Sequence, residues 1–265
     1  MKKRILSLLL ILCMAVTLLP TAVFAEEATG TGLLGGQAKI GDTVYATLEA
    51  AVAAAASGDT IQLGAGKYTL YKKGAVTKGK DLTFVGQGAD ETTWGIGATI
   101  PDPDKFGTEY NSDYSFDGAG TVTFNDMTLQ AAGADYLGFT PADKTVVEDC
   151  IINGKTFYWG YTSAEFTNTT FNCPSGDYAV WTYSSPVMTF DNCTFKASDF
   201  GKVINVYTDY SAGKHDITVN FKNCTVVNTG FSLKPVLNIN DSNMGSFKYR
   251  LNISGNTTVT GVDVD

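Results

Sequence analysis

The sequence predicts an all-β protein in which short parallel strands stack coil upon coil into a solenoid. A six-residue pattern recurs along the chain, and polar and apolar residues alternate around it as they do in half-buried strands. Only 17% of the 265 residues are charged, below the roughly 25% usual for soluble chains. Hydrophobic residues make up 44% of the chain, which excludes a disordered polypeptide.

The recurrent pattern is an apolar residue, any residue, Asn or Asp, a small or sulfur-containing residue, any residue and an apolar residue. Clear copies begin at Phe124, Val147, Phe166, Phe190 and Phe221, and a degraded copy begins at Ile253. Successive copies are offset by 23, 19, 24, 31 and 32 residues, whereas helical repeats keep a nearly constant period. A fixed core with variable spacing is typical of coils that share strands and differ in their loops.

Stacking explains the apolar and the Asn/Asp positions of this pattern. One coil cannot bury its apolar face, but coils about 4.8 Å apart bury a continuous one. We therefore expect an internal aromatic column in which each ring contributes roughly 1.5–3 kcal/mol. The column comprises Phe124, Phe166, Phe190 and Phe221. Asn and Asp tolerate a left-handed backbone, so we expect a turn at their position and a ladder of amide hydrogen bonds along it. The ladder comprises Asn168, Asn192 and Asn223.

An amphipathic helix is predicted over residues 47–57, before the repeats. Leu48, Ala51, Val52 and Ala55 recur at helical spacing, and Thr47 is a suitable N-cap. Residues 59–63 then alternate polar and apolar side chains, which predicts the first strand.

The segments GDTVYATLEAAVAAAASGDTIQLGAGKY and LTFVGQG, followed by the repeated F-x-N-C-T-F, resemble proteins of the pectin-lyase-like superfamily. The resemblance extends over about residues 41–260 and implies a right-handed parallel β-helix. It also implies that helix 47–57 covers the N-terminal end of the solenoid core. Because this superfamily includes lyases, hydrolases, phage tailspikes and adhesins, the resemblance implies a fold and leaves the function open.

The N-terminus has the features of a secretory signal peptide, predicted over residues 1–25. Three basic residues precede an apolar run over residues 5–19, and small residues precede Glu26. The run is shorter than the roughly 20 residues a membrane-spanning helix needs. Residues 26–40, rich in Gly, Thr and Ala, are interpreted as a linker before the β-helix domain at 41–265. We expect a bacterial protein that is secreted or lies on the cell surface, without a membrane span in the mature chain.

The charge balance excludes several functions. The chain has 19 basic and 27 acidic residues, a net charge of −8. Removal of Lys2, Lys3 and Arg4 with the signal peptide leaves 16 against 27, or −11, which argues against a nucleic-acid partner. The chain has one histidine, His215, so a His-rich zinc site is not expected, and a Ser-His triad would require that residue. We predict no metal site.

Four cysteines remain after the signal peptide and allow two interpretations. An exported protein with Cys150, Cys173, Cys193 and Cys224 could form two disulfides. However, three of them, Cys150, Cys193 and Cys224, share one repeat position, and parallel side-chain vectors of stacked residues fit a disulfide poorly. We favour buried thiols that serve as small hydrophobic residues.

An enzymatic function is the alternative interpretation. The resemblance implies that a lyase would use Ca²⁺ with an Arg or Lys base on an acidic polysaccharide, and that a hydrolase would use paired Asp residues. Arg occurs only at Arg4 and Arg250, and no catalytic residue can be assigned. No cofactor is predicted unless the lyase interpretation holds, in which case it is Ca²⁺.

A row of aromatic residues between the repeats favours binding without catalysis. If Val180 and Thr182 point inward, stacking places the neighbouring aromatic residues outside, on one sheet. These residues are Tyr158, Trp181, Tyr183 and Tyr207. Such a row is a platform for sugar rings or a protein contact, although the rings could also simply cover neighbouring coils. We expect a non-catalytic module whose partner is a polysaccharide or a cell-surface glycan or protein.

Overall fold

The fold is described by a computed structural model that covers residues 32–68, 79–96, 116, 118–131, 137–138, 142–157, 159–173, 178–182, 185–197, 202–207, 215–228, 237–240 and 246–260. Within these ranges the chain is mostly β-strand, and the strands form three sheets. The predicted signal peptide lies outside the described residues.

The strands of the three sheets have the following bounds. In order across the sheet, sheet A contains β2 (Thr43–Tyr45), β1 (Ala38–Ile40), β3 (Thr60–Leu63), β5 (Leu82–Val85), β7 (Thr121–Asn125), β10 (Lys144–Glu148), β13 (Ser163–Thr167), β16 (Val187–Asp191), β19 (Ile217–Lys222) and β22 (Tyr249–Ser254). Sheet B contains β4 (Gly66–Tyr68), β6 (Thr92–Ile96), β8 (Thr128–Ala131), β11 (Ile151–Asn153), β14 (Thr170–Asn172), β17 (Thr194–Ala197), β20 (Thr225–Asn228) and β23 (Thr258–Thr260). Sheet C contains β9 (Leu137–Gly138), β12 (Thr156–Phe157), β15 (Tyr178–Trp181), β18 (Lys202–Tyr207) and β21 (Leu237–Asn240).

The chain passes through the sheets in a repeating order. Strands β13, β14 and β15 lie in sheets A, B and C, and β16, β17 and β18 follow in the same order. Each strand pairs in parallel with its equivalents one coil before and one coil after, for example β13 with β10 and β16. The all-β, parallel part of the fold prediction is therefore confirmed, and the topology is consistent with a β-solenoid.

The N-terminal part of sheet A differs from the stack. Strand β1 pairs antiparallel with both β2 and β3, so residues 38–40, which the sequence analysis placed in a linker, belong to the sheet. The helix α1 spans Leu48–Ala54 and buries Leu48, Ala51 and Val52. Thr47 caps it as predicted, because its hydroxyl accepts a hydrogen bond from Ala50 N at 3.2 Å.

Helix α1 ends earlier than the sequence predicts. Ala55 has extended backbone angles, and Asp59 accepts a hydrogen bond from Ala56 N at 2.8 Å. This side-chain contact satisfies a backbone group that would otherwise continue the helix. Lys80 Nζ in turn donates a hydrogen bond to the carbonyl oxygen of Val52 at 2.8 Å. A lysine that bonds one of the last carbonyl oxygens stabilises the C-terminal end of a helix.

Each repeat turns from sheet A to sheet B at one left-handed residue. The third position of the pattern has φ between 50° and 55° in every clear copy. These residues are Asp126, Asp149, Asn168, Asn192 and Asn223. The backbone prediction for this position is confirmed. In the degraded copy, Gly255 has φ 63° and follows Ser254, the partner of Lys222, so glycine makes the same turn there.

Two columns of aromatic rings fill the core beneath this turn. In sheet A, Phe166 stacks on Phe190 with ring centroids 4.8 Å apart, and Phe190 stacks on Phe221 at 5.3 Å. Phe124 stacks on Phe84 at 5.5 Å, and Val147 separates the two groups of rings. Sheet B contains a second column, which the repeat pattern did not predict.

The second column places Phe171 on Phe195 with centroids 4.5 Å apart. Rings of the two columns meet edge to face, as Phe190 does with Phe195 at 5.1 Å and 75°. Stacked contacts within columns and edge contacts between them are both favourable arrangements of aromatic quadrupoles. The core is therefore specified by ring geometry as well as by burial.

We predict that Phe190→Ala lowers the free energy of unfolding by about 3–5 kcal/mol, because it removes a buried ring that contacts both columns. Ile253 lies in the same inward row but is 45% exposed, so Ile253→Ala should cost less than about 2 kcal/mol. Urea denaturation followed by circular dichroism measures both. Equal losses in the two variants would contradict the assigned core.

We also predict that Asn192→Val is less stable than Asn192→Gly by about 1–2 kcal/mol, the cost of a left-handed backbone with a β-carbon. Both variants lose the amide hydrogen bonds, so their difference isolates backbone strain. Thermal denaturation of the pair provides the measurement, and equal melting temperatures would exclude a left-handed residue 192.

Candidate functional site

The outward face of sheet C is where the sequence predicts a binding site. Tyr158 and Tyr183 lie outside the described residues. Trp181 ends β15 and pairs with Asn205 of β18, whose last residue is Tyr207. The backbone therefore places Trp181 and Tyr207 on neighbouring strands, two positions apart in register.

Trp181 lies between two core residues. Val180 and Thr182 are fully buried, whereas Trp181 is half-buried, so its indole projects to the opposite side of the strand. The indole contacts the ring of Tyr178, with centroids 5.9 Å apart and planes at 59°. Because Tyr178 is only 8% exposed, the accessible aromatic surface of this pair belongs to Trp181.

The residues at the outward positions around Trp181 are buried. Ala179, Val203 and Asn205 alternate with inward residues along β15 and β18, yet all three are buried. Sheet C is thus covered on both sides at these positions. The described residues consequently offer a narrow aromatic surface at Trp181, and the broad flat platform that the sequence suggested is not seen among them.

The outward face of sheet A carries paired charges. Lys144 Nζ lies 2.7 Å from Glu165 Oε2, and Lys222 Nζ lies 2.7 Å from Asp191 Oδ2. Hydrogen bonds from Lys222 and then from Asn223 hold the pKa of the Asp191 carboxyl below its usual value. The Asp191 carboxylate is therefore held in its ionised form by neighbours on the same face.

The left-handed turn carries the predicted amide ladder over part of its length. Asn168 Nδ2 donates to Asp149 Oδ1 at 3.0 Å, and Asn192 Nδ2 donates to Asn168 Oδ1 at 2.7 Å. Asn223 departs from this order and donates to Asp191 Oδ1 at 3.1 Å. The ladder residues bond one another along the stack, which fixes the orientation of their side chains.

The outward face of sheet B carries two polar rows that the sequence analysis missed. The fifth position of the repeat was treated as variable, although it is Thr in four of the five clear copies. These copies contribute Thr128, Thr170, Thr194 and Thr225, with Ile151 in the remaining coil. Two residues later, a second row contains Gln130, Asn153, Asn172, Lys196 and Val227.

The four cysteines lie in the core as thiols. Cys150, Cys173, Cys193 and Cys224 are buried and not joined in disulfides. Cys193 Sγ lies 3.5 Å from the carbonyl oxygen of Asp191 and 3.4 Å from that of Phe166 in the preceding coil. In the coil between Cys150 and Cys193, the equivalent Thr169 donates its hydroxyl to Thr167 O at 2.9 Å. The thiol of Cys193 and the hydroxyl of Thr169 thus occupy equivalent positions in their coils and contact equivalent carbonyl oxygens.

The lone histidine and the only arginine of the predicted mature chain are not assembled into a site. His215 Nδ1 is 3.0 Å from the carbonyl oxygen of Asp216, and Arg250 is exposed. Among the described residues, no group of three His, Cys, Asp or Glu side chains is arranged to hold a metal ion. In the same residues, no helix has the length and apolar character needed to cross a membrane.

Comparisons of the chain with protein-family models, with curated proteins and with solved structures gave no match. The functional assignment therefore depends on the residues and the geometry described above.

Burial raises the pKa of Cys150 and of Cys173 to about 12, so neither thiol ionises near neutral pH. We predict that iodoacetamide alkylates Cys150 and Cys173 of the native protein slowly at pH 8 and that raising the pH to 9 accelerates their alkylation little, because the thiolate is the reactive form. Mass spectrometry counts the modified thiols. Rapid alkylation of Cys150 or Cys173 in folded protein would contradict their burial, and unfolding in urea provides the positive control.

Proposed function

We propose that the chain is a right-handed parallel β-helix of the pectin-lyase-like superfamily, exported by a bacterium and secreted or displayed at the cell surface. In this proposal it acts without catalysis and binds a polysaccharide or other cell-surface material. The repeated passage through sheets A, B and C supports the fold assignment. The signal-peptide pattern of residues 1–25 supports export.

Helix α1 supports the proposed covering of the N-terminal end of the core. Its buried residues Leu48 and Val52 join the same apolar cluster as Ile61 of β3, which belongs to the first parallel pair of sheet A. Strands β1 and β2 extend this edge in antiparallel order. An end covered in this way cannot add further parallel strands at that edge, which disfavours association through it.

Trp181 is the observation that carries the proposed binding function. A half-buried indole on the outward side of a strand, held by Tyr178, combines fixed orientation with accessible aromatic surface. Such a ring stacks on the apolar face of a sugar with little loss of side-chain entropy. Tyr207, two register positions away on β18, is the proposed second contact.

The charged face of sheet A supports binding over hydrolysis. A general acid of a glycoside hydrolase needs a raised carboxyl pKa. Asp191 has the opposite shift because it accepts hydrogen bonds from Lys222 and Asn223. Glu165 is likewise engaged by Lys144. These carboxylates are therefore suited to holding neighbouring coils together.

We predict that the double variant Trp181→Ala, Tyr207→Ala weakens retention on a polysaccharide panel at least about tenfold, equivalent to about 1.4 kcal/mol. Tyr161→Ala is the matched control, because Tyr161 is an aromatic residue that is 47% exposed and lies outside the strands of sheet C, and this variant should bind as the unmodified chain does. Affinity electrophoresis and pull-down measure retention.

Unchanged retention in the double variant would reject the aromatic site. Absorbance of unsaturated products, measured on the same panel with and without Ca²⁺, tests the enzymatic alternative. Product formation by the unmodified chain would overturn the non-catalytic assignment.

A further inference from the structure

The outward face of sheet B has a regular polar composition with few charges, whereas the outward face of sheet A carries the ion pairs described above. Its first row presents hydroxyls and its second row presents amides, and parallel pairing places equivalent residues about 4.8 Å apart. We use the name hydroxyl–amide face for Thr170, Thr194, Thr225, Gln130, Asn153 and Asn172. All six side chains are half-buried and alternate with core residues such as Phe171 and Phe195.

The amides of this face are held in fixed orientations. Asn172 Nδ2 donates to Asn153 Oδ1 at 2.6 Å, and Asn153 Nδ2 donates to Gln130 Oε1 at 2.9 Å. Each bond links one coil to the next and sets which edge of each amide faces outward. A ligand that contacts this row therefore meets side chains that lose little conformational freedom on binding.

The threonine hydroxyls of the same face are not engaged by the part of the chain that the structure describes. Thr170, Thr194 and Thr225 form no side-chain hydrogen bond to any residue that the structure describes. A threonine hydroxyl is both a donor and an acceptor. This row therefore offers three unsatisfied donor–acceptor groups in successive coils.

The charges on this face favour a neutral ligand. In the five successive coils from β8 to β20, the described residues of the two rows include one cation, Lys196, and no anion. A uronic-acid polymer carries one carboxylate per sugar. If such a polymer bound to this face, Lys196 could pair with one carboxylate, and most of the others would lose hydration without gaining a cationic partner. A neutral polysaccharide avoids this cost and supplies hydroxyls that both donate and accept.

We propose that the hydroxyl–amide face binds an extended neutral polysaccharide that runs across the strands, so that successive sugars contact successive coils. This inference rests on the proposed carbohydrate-binding function. It adds a second binding site and names the class of ligand that the site takes. A repeating ligand matches the repeating rows, whereas a compact ligand would reach only one or two coils.

The test is the triple variant Thr170→Val, Thr194→Val, Thr225→Val. Valine keeps the β-branched shape that suits a strand and removes only the hydroxyl. The matched control is Thr83→Val, Thr123→Val, Thr218→Val, three half-buried outward threonines of sheet A. Circular dichroism and melting temperature establish that both triple variants are folded.

The probes are microcrystalline cellulose, chitin and, as the acidic comparison, polygalacturonate. We expect the unmodified chain and the sheet A control to bind a neutral polymer, and the sheet B variant to bind it at least about tenfold more weakly. Retention on polygalacturonate alone, or on no neutral polymer, would overturn the inference.

The Trp181→Ala, Tyr207→Ala variant separates the two sites. Loss of neutral-polymer binding in the sheet B variant, with binding intact in the aromatic variant, would support the hydroxyl–amide face and reject the aromatic site. The reverse result would overturn the hydroxyl–amide face and leave the proposed function standing. Loss in both variants would support two sites that act together.

Discussion

The left-handed residue at the turn between sheets A and B is the constraint on which the rest of the structure depends. Asp126, Asn168 and Asn192 adopt φ near 50°, a conformation that costs most residues about 1–2 kcal/mol. Short side chains that bond locally reduce this cost. Because the turn takes the same form in each clear repeat, the strands on either side of it enter their sheets in the same register, whatever the length of the loops elsewhere in the coil.

Constant register explains both the core and the surface. Inward positions repeat exactly one coil apart, so Phe166 stacks on Phe190 and Phe171 stacks on Phe195. Outward positions repeat in the same way, which places amides such as Asn153 and Asn172 within hydrogen-bonding distance. A stack of this kind turns a short sequence pattern into long rows of similar side chains, and the proposed function uses these rows as contact surfaces for a repeating ligand.

The sequence predicted features that depend on local chemistry and on the repeat. The turn at Asn192 and the inward position of Phe190 follow from residue type and spacing. The second aromatic column was missed because the sixth position of the repeat is Phe only at Phe171 and Phe195 and is aliphatic in the other clear copies. The threonine row was missed because the fifth position was treated as variable, and Ile151 interrupts it. The burial of Ala179 and Val203 could not be predicted, since it depends on tertiary contacts of sheet C that the repeat pattern does not encode. The early end of α1 likewise depends on the contact between Asp59 and Ala56.

Removal of one complete coil tests the stacked arrangement most directly. Deletion of residues 168–191 joins Thr167 to Asn192 and leaves every remaining strand a partner of the same type, whereas deletion of residues 172–191 joins strand β14 to the turn out of register. Circular dichroism and urea denaturation then compare the two shortened chains. We predict that the in-register deletion retains a β spectrum and unfolds cooperatively, while the out-of-register deletion does not fold. Failure of the in-register chain to fold, or equal folding of both, would contradict a solenoid built on the repeated turn.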